Sequence, residues 1–119
     1  MINEKTIITG DKMDLEMIIN NLIKNACEAM PNGGKIRVQT SIIQDFVKIE
    51  VKDTGMGISK DKLQKIWEPF QSRHVTKGRG LGLSIVHRLV KEHSGVINVE
   101  SKENEGTSFE IKFPIRGLL

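Results

Sequence analysis

"NNLIKNACEA", residues 20–29, carries two signals at once. At helical spacing Leu15, Ile18, Ile19, Leu22, Ala26 and Ala29 form one apolar stripe, and Asn21, Asn25 and Glu28 fall directly beside it. The stripe predicts an amphipathic helix packed on a core, with Asp11 as N-cap, running to about Met30, where "PNGGK" stops it. The amides are the anomaly. Asparagine prefers caps and turns to helix interiors, and an amide at the edge of a core costs free energy unless something satisfies it. Two of them one turn apart on such a helix raise the question of what they are for.

On either side of this helix the pattern changes period. "IIT", residues 7–9, reads as a short strand, and "KIRVQTSI" and "FVKIEVK" alternate apolar with polar residues, as strands with one solvated face do. Ser59 is placed to cap a short helix whose Leu63, Ile66 and Trp67 share an apolar side, ended by Pro69. A second long helix runs from Leu81 to about His93, with Leu83, Ile85, Val86, Leu89 and Val90 on its apolar side and Gly95 closing it. "GVINVES" and "TSFEIKFP" alternate again. Between the helices, residues 68–80, "EPFQSRHVTKGRG", have no period and are expected to form a lid. This order fits an α+β fold: a two-layer α/β sandwich, its mixed and mostly antiparallel sheet carrying the helices on one face.

Composition narrows the function classes. The 119 residues fit one domain, 1–119, and 38% apolar with 28% charged residues describes a globular chain with a real core. Eighteen basic residues are interspersed with 15 acidic ones, and no Tyr and one Trp leave few stacking platforms, which argues against a nucleic-acid module. No apolar run is long enough to span a membrane, and "MINEKTIITG" lacks the basic-then-apolar order of a signal peptide, so a cytoplasmic setting without membrane contact is expected. The single Cys27 has no partner for an internal disulfide and reads as structural.

Two glycine clusters bracket the aperiodic segment. "DTGMG" puts Asp53 at the end of a strand, followed by Gly55 and Gly57, which permit turns that a Cβ blocks. "GRGLGL" places Gly78, Gly80 and Gly82 at the start of a helix, where free amides and the dipole favour phosphate. The spacing matches neither a dinucleotide GxGxxG fingerprint nor GxxxxGK[ST].

Taken in order, these segments resemble the catalytic, ATP-binding domain of sensor histidine kinases, within the Bergerat-type superfamily of gyrase, heat-shock chaperone and mismatch-repair ATPases. "NLIKNACEA" is similar to the N box, "DTGMG" to the G1 box, "WEPF" to the F box, "GRGLGL" to the G2 box, and "GTSF" to the last such stretch. The resemblance implies ATP and Mg²⁺ as ligands. It implies that Asn25 coordinates Mg²⁺, that Asn21 reaches the phosphates, and that Asp53, assisted by Thr107, accepts a hydrogen bond from the adenine amine. Gly55 and Gly57 shape that pocket, Gly80, Leu81 and Gly82 offer backbone amides, and Arg73 or Lys77 supplies charge from the lid. Chaperone and mismatch-repair ATPases resemble this helix but carry Glu where Asn21 stands, and an amide accepts no proton from water. Phosphoryl transfer is therefore implied over hydrolysis. Family acceptor histidines sit on a separate dimerisation domain, and His74, His87 and His93 do not fit that pattern, the latter two reading as surface or packing residues beyond the second helix. The implied partners are that histidine-bearing domain and, downstream, a response regulator. A protein-serine kinase of the anti-sigma type and a non-catalytic module of the same fold are the alternatives.

Overall fold

A computed structural model describes residues 12–68 and 82–115. The chain runs α1 (Lys12–Glu28), β1 (Ile36–Ile43), β2 (Phe46–Asp53), α2 (Lys60–Leu63), α3 (Gly82–Glu92), β3 (Val96–Lys102) and β4 (Gly106–Pro114). The described strands form one sheet in the order β1-β2-β4-β3, every pairing among them antiparallel. The expected strand at 7–9 and the Asp11 cap lie outside the described residues.

Strict alternation makes this sheet two-faced. Val47, Ile49 and Val51 on β2 stand opposite Phe113, Ile111 and Phe109 on β4, all fully buried. Against them pack Ile18, Leu22 and Ala26 of α1 and Val86, Leu89 and Val90 of α3, so both long helices share one face. Burying each branched side chain contributes roughly 1.5–3 kcal/mol, which makes this layer the main stabilising term. The other face is wet: Lys48 and Lys112 flank Glu110 at 3.2 and 3.7 Å. The core face of β1 departs from its alternation, with Val38 and Ile42 left 43% and 50% exposed. β1 is an edge strand in the sheet of described residues.

Three local expectations are corrected. α2 is a single turn, so Ile66 and Trp67 follow it in a turn segment, where Trp67 still reaches the core edge-on to Phe109. α3 ends with Ser94, not Gly95, in the left-handed conformation (φ 60°), while the Gly95 amide donates to the Val90 carbonyl at 2.8 Å. His87 lies within α3 and packs on Trp67, and only His93 follows the helix. There His93 Nε2 meets Asp14 Oδ2 at 2.9 Å and ties the end of α3 to the start of α1. Among the described residues no helix is long and apolar enough to cross a membrane.

Candidate nucleotide site

The site lies where β2 ends, and its centre is a turn held from three sides. Asp53, the last residue of β2, is 3% exposed, and its Oδ1 accepts the Gly55 amide at 2.8 Å. The Met56 amide donates to the carbonyl of Ala29, just past α1, at 3.0 Å. From the other side the Asn104 amide donates to the Met56 carbonyl at 2.7 Å, and the Ile58 amide donates to Ser101 Oγ at 2.8 Å. These contacts explain the glycines. A Cβ on Gly55 would lie 2.6 Å from the Ala29 carbonyl oxygen, and one on Gly57, where φ is +72°, would collide with the Lys102 carbonyl. Gly57→Ala is therefore expected to destabilise the fold by about 2–3 kcal/mol, combining a left-handed backbone with a forced shift of the β3–β4 turn. Chemical denaturation measures it, and an unchanged midpoint contradicts this docking.

Across the turn, α1 presents its amides. Asn21 Nδ2 donates to the Met17 carbonyl of its own helix at 2.9 Å, while its Oδ1 points toward the first residue of α3, 3.3 Å from where a Cβ on Gly82 would be. Asn25 sits one turn further on along α1. Its Nδ2 is buried, and among the described residues it is the one buried side-chain N or O without a hydrogen-bond partner. Thr107 pairs with Asp53 across the β2–β4 ladder and is 2% exposed. Asn21, Asn25, Asp53, Gly55, Gly57, Gly82 and Thr107 thus fall on α1, the turn, the start of α3 and the neighbouring strand end. Arg73, Lys77, Gly80, Leu81 and the lid from residue 69 onward lie outside the described residues, as does His74.

Set against known proteins, the whole segment is familiar. The profile of the family described as "Histidine kinase-, DNA gyrase B-, and HSP90-like ATPase" matches residues 10–117. The chain belongs to that family. Sporulation kinase E of Bacillus subtilis is 44% identical to this ATPase domain over 103 residues, 86% of this chain and 14% of that protein. Sensor histidine kinase ZraS of Escherichia coli is 38% identical, over 91% of this chain and 23% of its own length. Among solved structures, the catalytic domain of histidine kinase ThkA superposes with a TM-score of 0.81 at 32% identity, covering 98% of this chain and 76% of that one. Full-length ShkA, solved in complex with AMPPNP, gives 0.77 at 31% identity, over 89% of this chain and 22% of that one. The domain spans 14% to 26% of the length of the first curated relatives it matches.

As a histidine kinase-type ATPase domain, the chain is an ATP-binding α/β sandwich, and the amide-bearing helix, the Asp53 turn and the start of α3 are its candidate nucleotide site. The described residues fit a hard cation that arrives with a nucleotide: Asn21 turns a neutral amide oxygen toward the start of α3, and the amide of Asn25, one turn on, is buried with an unused position. The described residues hold no group of three or more His, Cys, Asp or Glu side chains suited to a metal. Sequence reasoning missed Ser101, which joins the turn to Thr107. Its signal was a Ser on the inward-facing phase of "GVINVES", beside the position that Thr107 takes once the two strands pair. Cys27 is exposed, on the side of α1 away from the core, so it plays no packing role of the kind expected.

Proposed function

We propose that this domain binds Mg·ATP and transfers the γ-phosphoryl to a histidine supplied by a separate dimerisation domain, as the catalytic unit of a two-component sensor kinase. The observation that carries this reading is the pair of amides one turn apart on α1: Asn21, with its Oδ1 turned toward the start of α3, and Asn25, with a buried and unpartnered amide nitrogen.

Each residue has a task in that reading. The Gly55 amide occupies one oxygen of Asp53 and fixes the carboxylate plane, so the second oxygen is the acceptor for the adenine amine. Asn25 supplies an amide oxygen to Mg²⁺, a half-turn of the amide bringing oxygen to the buried, unpartnered position. Mg²⁺, when bound with the nucleotide, neutralises phosphate charge and orients the triphosphate. Asn21 reaches the phosphates with its outward oxygen side, and Gly80, Leu81 and Gly82 meet them with backbone amides, where the helix dipole of α3 favours negative charge. Arg73 or Lys77 adds charge. Because neither Asn21 nor Asn25 takes a proton, water is a poor competitor with the histidine nucleophile. The chain acts as one domain, 1–119, in the cytoplasm, whatever anchors the parent protein, and a response regulator receives the phosphoryl group next.

Radiolabelled ATP tests this. The isolated chain should take up almost no label and hydrolyse ATP slowly, and added histidine-bearing domain should acquire label that is acid-labile and alkali-stable. Acid-stable label on a serine supports the anti-sigma type of kinase instead, and fast turnover by the lone chain refutes the role given to Asn21.

A further inference from the structure

Asp53, Thr107 and Ser101 stand in one row across three adjacent strands, Thr107 pairing with Asp53 on one side and with Ser101 on the other. The Ser101 hydroxyl meets three groups: the Ile58 amide at 2.8 Å, the Gly106 carbonyl at 3.0 Å and the Thr107 hydroxyl at 2.8 Å. A hydroxyl has one proton and two lone pairs. The Ile58 amide only donates, so it takes one lone pair. The Gly106 carbonyl only accepts, so it takes the Ser101 proton. What remains on Ser101 is a single lone pair, and the contact with Thr107 is attractive only when Thr107 donates. The reverse order, Ser101 donating to Thr107, leaves two oxygens with opposed lone pairs 3.0 Å apart at Gly106. One proton arrangement satisfies all three contacts.

We propose that Ser101 is a positioning residue that sets the polarity of the base-reading end of the site: by accepting the Thr107 proton it leaves Thr107 with acceptor lone pairs alone, beside the Asp53 carboxylate. The inference rests on the adenine reading given above. A row that only accepts hydrogen bonds suits a purine with an exocyclic amine, whereas a purine with a carbonyl there meets acceptor against acceptor. Ser101 thus acts on nucleotide selectivity through Thr107, without touching the base. The same hydroxyl holds the Ile58 amide, so the turn after Asp53 and the orientation of Thr107 are set by one group.

The readout is the ratio of GTP to ATP dissociation constants, measured by calorimetry with Mg²⁺ on the unmodified chain, Ser101→Ala and Ser101→Thr. Without the Ser101 hydroxyl, Thr107 is free to rotate and donate to a purine carbonyl, so the ratio should fall about tenfold in Ser101→Ala. Ser101→Thr, which keeps the hydroxyl, should retain the ratio. A purely structural Ser101 would weaken both nucleotides together, and an unchanged ratio in Ser101→Ala overturns the inference while leaving the adenine reading intact. Absence of any ATP preference in the unmodified chain overturns both. Should Ser101→Ala fail to fold, the isosteric pair Ser101→Thr and Ser101→Val makes the same comparison, the ratio holding in the first and dropping in the second; equal ratios in that pair overturn the proposal.

Discussion

Asn25→Ala should sharply weaken Mg²⁺-dependent ATP binding and at the same time make the nucleotide-free domain more stable. The two effects have one cause. Asn25 Nδ2 is buried with no partner, a desolvation cost of roughly 1–3 kcal/mol that the free protein bears. Alanine removes that cost and is the better helix former by up to about 0.7 kcal/mol, against which the lost amide packing must be set. A net gain of about 1 kcal/mol raises the melting temperature by a few degrees in a domain of this size. Binding moves the other way, by roughly a hundredfold, equivalent to about 2.7 kcal/mol, if the amide is a ligand of the cation. Thermal unfolding and calorimetry on the same sample separate the two. A variant that melts lower and binds Mg·ATP normally would make Asn25 a structural residue.

Asp53→Asn should weaken ATP by about 1–3 kcal/mol and shift preference toward GTP. The direction follows from the Gly55 amide, which bonds Asp53 Oδ1 at 2.8 Å. An asparagine must keep its oxygen on that amide, or leave it unpaired and facing an NH₂ group. Its nitrogen is thereby turned to where the second carboxylate oxygen stood, donor against the donor of adenine. The 6-carbonyl of guanine accepts from that nitrogen. The fold should tolerate the change, since the contact with Gly55 survives. ATP affinity within twofold of the unmodified chain would show that Asp53 does not read the base.

These two residues were legible in the sequence for different reasons. Asp53 ends the alternation "FVKIEVKD" on the inward phase, so its burial follows from period two once Val47, Ile49 and Val51 are assigned to the core. Asn25 stands out because an amide beside the Ile18, Leu22 and Ala26 stripe is costly. Both signals are local. What sequence patterning did not reveal depends on contacts between distant segments. Ser101 matters only because the β3–β4 register sets it beside Thr107, and Asp14 meets His93 only because α1 and α3 lie side by side. The closure of α3 by Ser94 was hidden by Gly95, the residue whose type advertises a left-handed cap, although Ser94 adopts that conformation at φ 60°. Val38 and Ile42 alternate as a buried face would, yet alternation cannot tell an edge strand from a central one, and both are exposed.

A ¹⁵N-labelled sample titrated with ATP, first without and then with Mg²⁺, tests most directly that the amide helix and the Asp53 turn form one Mg·ATP site. The amides of Asp53, Gly55, Gly57, Thr107 and Gly82 and the side-chain amides of Asn21 and Asn25 should shift together, with the two asparagine signals moving further when Mg²⁺ is added. Shifts confined to other faces of the domain, or asparagine signals indifferent to Mg²⁺, would contradict it.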